Sequence, residues 1–263
     1  MLNDYEVEEA AIQQDIRFIE DCELADCDHT QHMAPELAGF DVDEKNAEAV
    51  VAGNSLVSIA AGMSDDNKQA IKDTVLLATL AANKSHPRGG VQWYQMFTRV
   101  LTSCGWFSQS TGFSDYRVGN SRFTMEQTAL KILASAITAA AVPGPTRLLM
   151  LKVASDTISA LQESDEPLRL FENSSKTHSG AKFAIGSSAE SKDGEVIMAM
   201  GALDFSTRLN VTNVLFWEWN SSSVRIKRAE NHMTLNQRHY ENMRSVIENK
   251  LYGTEDFLLS LEI

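Results

Sequence analysis

The run "GAKFAIGSSAESKDGEVIMAMGALDFSTRLNVTNVLFWEWNSSSVRIKRA", residues 180–229, decides the fold. Apolar stretches of strand length alternate with turn signals. "KDGE" at 192–195 places an Asp-Gly pair where a tight hairpin turn needs positive φ. The run predicts four antiparallel strands. The segment after it, "LNQRHYENMRSVIENKLYG", has helical period. Asn236 is its N-cap, Leu235 and Tyr240 are placed as a hydrophobic staple, and Tyr240, Met243, Ile247 and Leu251 form its buried stripe. Helices, then a local meander, then a helix is the α+β pattern: N-terminal helices and a helical hairpin packed with a four-stranded antiparallel meander sheet and a C-terminal helix.

"TNVLFWEWNSSSVRIK", residues 212–227, poses a choice. Trp-Glu-Trp could stack a sugar around a carboxylate, or it could be a strand with large residues turned to a core. With Ser221 and Ser222 as a two-residue loop, Trp219 faces Val224, Glu218 faces Arg225, Trp217 faces Ile226 and Phe216 faces Lys227. Both faces then match, and each such pair contributes roughly 0.2–1 kcal/mol. A sugar platform would leave Val224 and Ile226 exposed beside the rings. The sequence therefore predicts Trp217 and Trp219 in the core and Glu218 in an ion pair with Arg225. Val214 and Phe216 predict partial cover on the opposite face.

Upstream, residues 4–24 form an amphipathic helix with Ile12, Ile16 and Ile19 on one side, and Pro35 and Gly39 interrupt the stretch beyond it. From Glu44 the pattern is read as helical, with Ala47, Val50, Val51, Val57 and Ala61 on one stripe. Gly62 ends it, Ser64 caps a second helix running to about Lys84, and "SHPRGG" breaks that one. "GVQWYQMFTRVLTSCGW" carries the cleanest helical signal. Trp93, Met96, Phe97, Val100, Leu101 and Cys104 share one face, and Gly105 closes the helix. Residues 107–122 lack a period and read as a loop with one short strand. "TMEQ" at 124–127 has the form of a capping box, and "PGP" at 143–145 turns the chain between helices 125–142 and 145–162. "ESDEP" then ends the helical part, leaving "ENSSKTHSG" as a polar loop before the sheet.

Charge divides the chain. Residues 1–48 hold 15 Asp or Glu and two basic residues, a net of −13, which equals the charge of the whole chain. The remainder carries 21 residues of each sign. The expected organisation is an acidic arm over 1–44 and a single α+β domain over 45–263. The neutral body offers no basic excess for nucleic acid. No apolar run reaches the roughly 18 residues of a membrane span. The N-terminus lacks the basic and apolar regions of a cleaved leader, so the expected location is cytoplasmic, or exported without a cleaved signal peptide.

Chemistry-bearing motifs are sparse. Cys22, Cys27, His29 and His32 are metal-ligand types, but they crowd one short acidic segment instead of forming two separated pairs, so no metal site is assigned. Cys104 reads as a small core residue. Glu172, Ser174, Ser175 and His178 stand in a row, whereas catalytic groups converge in space. His232 and His239 flank a helix start. No nucleophile elbow, zinc-helix, phosphate-loop or dinucleotide motif occurs, so no catalytic residue and no cofactor is assigned. The 125–162 hairpin, with Lys131 the only charge between Ala129 and Val142, raises membrane insertion as an alternative to burial.

"FWEWNSSSVRIKRAENHMTLNQRHYENMRSVIENKL", with "EVIMAMGALDF" before it and "WYQMFTRVLTSCGW" upstream, resembles a group of bacterial proteins of the kind predicted in pseudomonads. The resemblance spans roughly residues 45–263, excludes the acidic leader and brings no activity. The leading expectation is a non-catalytic protein that binds a protein partner or self-associates, with an acidic regulatory or docking arm. The alternatives are a membrane-acting virulence or toxin-like factor using the 125–162 hairpin, and a hydrolase of unknown type.

Overall fold

A computed structural model describes residues 4–25, 47–254 and 258–263. Its elements are α1 (Asp4–Asp21), β1 (Glu48–Ala52), β2 (Ser55–Ile59), α2 (Asp65–Ser85), α3 (Gly90–Ser103), β3 (Trp106–Ser110), β4 (Ser114–Tyr116), β5 (Arg122–Thr124), α4 (Met125–Ala139), α5 (Gly144–Glu163) and α6 (Asp165–Ser175). They continue as β6 (Lys176–Thr177), β7 (Gly180–Glu190), β8 (Val196–Thr207), β9 (Glu218–Asn220), β10 (Val224–Leu235), α7 (Gln237–Leu251) and β11 (Leu258–Glu262). The class is α+β.

The sheet is larger than a four-stranded meander. Nine strands run β11-β1-β2-β7-β8-β10-β3, with β4 also on β10 and β6 on β7. The pairs are antiparallel except β2 with β7, which run parallel. Helices cover both faces. Val50, Val57, Ala184, Met200, Ala202 and Ala229 enter the core beneath α2 and α3. Val51, Leu56, Phe183, Leu203 and Phe205 enter the opposite core, beneath α4 and α5. Gly201 permits the close approach of α4, because a Cβ there would lie 2.8 Å from Ile132 Cγ2.

The expected helix over 44–61 is instead the hairpin β1–β2. Gly53, at φ +55°, makes the turn, and β-branched residues occupy both strands. Both faces are buried, so the polar alternation that marks a strand is missing and the apolar run imitates a helix. Residues 165–175, expected as a break and polar loop, form α6, with Asp165 and Glu166 in its first turn and Phe171 buried. β11, which pairs with β1, was outside the expectation as well.

The largest correction concerns Trp-Glu-Trp. β10 pairs with β8 along nearly its whole length, and with β3 and β4 on its other side. Both its edges are therefore taken, and β9 pairs with β5 in a separate two-stranded sheet, Trp219 opposite Phe123. Trp219 is buried and meets Phe205 edge-on with ring centres 5.4 Å apart. Trp217 is half exposed, contrary to expectation, because 211–217 is irregular and strand alternation does not extend through it. Glu218 pairs with Arg122 at 3.4 Å, not with Arg225. Val214 and Leu215 are buried in the chain's own core, where Leu215 O accepts from Glu126 N.

Other local signals act as read. Thr124 Oγ1 accepts from Gln127 N at the start of α4, and Asn236 Oδ1 accepts from His239 N at the start of α7. Tyr240, Met243, Ile247 and Leu251 are buried. Ser64 precedes α2, but its side chain turns to Glu190 Oε2 instead of capping the helix. α1 packs on α3 and α7. Ile19 and Cys22 are buried there, Arg99 lies 4.0 Å from the Phe18 ring centre, and Lys250 Nζ donates to Glu20 O.

Candidate functional site

Residues directly opposite each other on paired strands project from the same sheet face. That rule aligns four charges. Lys182 on β7 stands opposite Asp204 on β8, Asp204 opposite Lys227 on β10, and Lys227 opposite Asp115 on β4. The row alternates in sign across four neighbouring strands. It lies on the face that α3 covers, at the level where α3 begins.

The first half of the row is held by the start of α3. Lys182 is 3% exposed, and its Nζ donates to His86 O at 3.2 Å and Pro87 O at 3.1 Å, with the Trp93 ring centre 5.6 Å away. Asp204 Oδ2 accepts from Gly90 N at 2.5 Å, so the sheet supplies the carboxylate that the start of α3 lacks in its own sequence. Burial pushes the Lys182 ammonium down to about 8, against the pull of Asp204. Burial also raises the Asp204 carboxyl, opposed by the Gly90 N–H, Lys182 and Lys227. Gly89 is required here. Its φ is +79°, and a Cβ would lie 2.8 Å from Asp204 Oδ2 and 3.0 Å from Lys182 Cδ. A chain of amides ties the corner to the rest of the molecule. Trp93 Nε1 donates to Asn83 Oδ1, Asn83 Nδ2 to Asn54 Oδ1, and Asn54 Nδ2 to Lys182 O.

The second half is open. It lines a groove of about 850 Å³ that includes Asp115, Arg117, Ser206, Arg225 and Lys227, with Val118, Phe123 and Val224 as apolar lining. One row beyond Lys227, Arg225 stands opposite Ser206. Arg117, the residue after Ile226's partner Tyr116, lines the same groove as Arg225. Both arginines are exposed, and among the described residues neither has an ion-pair partner. By contrast, Arg228, on the opposite face of β10, pairs with Glu230 and lies 5.1 Å from the Tyr116 ring centre.

The residues singled out from sequence do not converge. Cys27, His29 and His32 lie outside the described residues. Cys22 is buried, and burial raises its thiol. Among the described residues no cluster of three or more His, Cys, Asp or Glu could hold a metal. Cys104 is fully buried, and burial raises its thiol too. Glu172 accepts from Val214 N at 3.1 Å and pairs with Lys176 at 3.0 Å, whereas His178 is exposed in the turn before β7. Ser175 is buried, and the Ser174 side chain lies near Gly53. His232 Nε2 lies 3.0 Å from Gln109 Oε1, and His239 Nε2 lies 3.1 Å from Ser103 O and 3.4 Å from Asp15. The hairpin α4–α5 turns Ile132, Leu133, Ile137, Met150 and Ile158 into the core. Among the described residues no helix is long and apolar enough to cross a membrane.

No protein-family model matches the chain, and no curated protein matches it. Among solved structures, the Evf virulence factor is similar at 12% identity and a TM-score of 0.32, over 91% of this chain and 88% of that one. A likeness of that degree assigns no site here.

Proposed function

We propose that the protein works by binding another polypeptide rather than by catalysing a reaction, and that the groove around Arg117, Arg225 and Lys227 is its contact surface. The observation that supports this is a pair of arginines in one open groove with an apolar lining, neither having an ion-pair partner among the described residues. Ionisable groups in and away from the groove are already engaged. Lys182 is sealed against two carbonyls, Asp204 holds the start of α3, and Glu172 holds Val214 and Lys176. The acidic leader over 1–44 serves in this reading as a docking arm, and its helix α1 packs on α3 and α7.

Hydrogen exchange on the full chain, alone and at high concentration, together with light scattering, tests the reading. Self-association through the groove gives a mass that rises with concentration, protection at 114–118 and 224–227, and loss of both in Arg117→Glu/Arg225→Glu. A constant monomer mass leaves a different protein as the partner. A hydrolase screen in which turnover appears and then disappears in Glu172→Ala or His178→Ala would overturn the reading in favour of an enzyme. Liposome leakage that Ile137→Asp abolishes would overturn it in favour of membrane action.

A further inference from the structure

Resting on the groove as a binding surface, we infer that its occupant is an acidic peptide segment of a partner protein, with carboxylate side chains flanked by apolar ones. Arg117 follows Tyr116, the last residue of β4 in register with β10, and lines the same groove as Arg225, the residue before Tyr116's partner Ile226. Asp115 does not neutralise these arginines, because it stands opposite Lys227 in the neighbouring row. Asp204 does not neutralise them either, because it accepts from Gly90 N and faces Lys182 and Lys227. Two guanidinium groups in one groove form a receptor for a carboxylate, each able to donate two parallel N–H bonds.

The rest of the lining selects among anions. Among the described residues three cations and two carboxylates line the groove, Arg117, Arg225 and Lys227 against Asp115 and Asp204, an excess of one positive charge. A single carboxylate satisfies that excess. A doubly charged phosphate exceeds it by one negative charge. Val118 and Val224, both partly exposed, supply contact for apolar side chains next to the carboxylate. A groove of about 850 Å³ takes several side chains, which suits a peptide better than a lone carboxylic acid.

The test is fluorescence anisotropy with a short labelled peptide alternating Asp with Phe and Val, titrated with the full chain. Two comparison peptides replace Asp by Asn or by phosphoserine. The Asp peptide is expected to bind at least about tenfold more tightly than the Asn peptide. Its affinity falls with added salt and drops about tenfold in Arg117→Gln/Arg225→Gln, both exposed positions, so the urea midpoint is retained. Equal binding of the Asp and Asn peptides, or indifference to the arginine changes, overturns the acidic assignment. Tighter binding of the phosphoserine peptide overturns the carboxylate assignment. Exchange protection then separates the two levels of failure. Protection at 114–118 and 224–227 by the Asn peptide leaves the groove as a binding surface, whereas protection elsewhere, or by none of the peptides, removes that reading as well.

Discussion

Lys182 with Asp204, and Lys227 with Asp115, are the same kind of pair in the same row of one sheet. The start of α3 covers Lys182 and binds Asp204 at the groove's margin, whereas Lys227 and Asp115 face the groove. In the covered pair Lys182 Nζ donates to two carbonyls and Asp204 Oδ2 accepts from Gly90 N, and burial opposes both charges. In the open pair water screens the interaction, and the side chains remain free to meet a ligand. Where a helix begins therefore decides which half of a charge row fixes architecture and which half is available for recognition.

Removing one member of the covered pair should have the largest effect. Asp204→Ala takes the charged acceptor from Gly90 N and removes the attraction Asp204 exerts on the buried Lys182 ammonium, a loss of about 2–4 kcal/mol. Urea unfolding measures it, and a loss no greater than that of Asp115→Ala would erase the distinction between the halves. The pH dependence is next. The Lys182 pKa is about 8 in the folded chain, below its ordinary 10.5. Between those values the unfolded chain binds the additional proton, so this residue makes stability rise with pH, by at most about 1.4 kcal/mol per unit. Subtracting the stability curve of Lys182→Met from that of the wild type should show that rise between about 8 and 10.5, and a flat difference would contradict it. Asp204 acts in the other sense at low pH. Its carboxyl is raised, so its contribution is greatest below the ordinary carboxylate range and declines as pH climbs through its folded value.

Gly89→Ala tests the fit of the corner without touching a charge. Its backbone, φ +79° and ψ −152°, lies in a region that only glycine enters freely, and the added methyl meets Asp204. A loss of about 1–3 kcal/mol in thermal or urea unfolding is expected. The smallest effect belongs to Lys227→Ala, below about 1 kcal/mol, because an exposed cross-strand pair contributes little. A larger loss there would mean that the open half is structural after all.

Much of the helical framework was legible. Trp93, Phe97, Val100 and Leu101 repeat at helical spacing and are buried, and the caps Thr124 and Asn236 stand where their residue types require. The failures share a cause, which is that strand pairing is settled by distant parts of the chain. Glu218 has a basic candidate in Arg225 and another in Arg122, and nothing local says that β10 is already occupied on both edges. β1 and β2 lost their strand signature because helices cover both faces. The groove was invisible for the same reason. Arg117 comes from a stretch without period, Ser206 from the end of β8 and Arg225 from the start of β10, and only the sheet register brings them together.

The parallel pairing of β2 with β7 has a kinetic consequence. Asn54 Nδ2 reaches Lys182 O, and Ser58 Oγ reaches Gly186 O, each across 128 residues of sequence. The β1–β2 hairpin can close locally, but its apolar edge has no partner until α2 through α6 have been threaded past it. Contacts this remote return their stabilisation only after a long loop has been ordered, and they slow folding accordingly. The hairpin that resembles a helix in sequence is thus also the element left waiting longest with an open edge, and that edge is where misassembly between chains would begin.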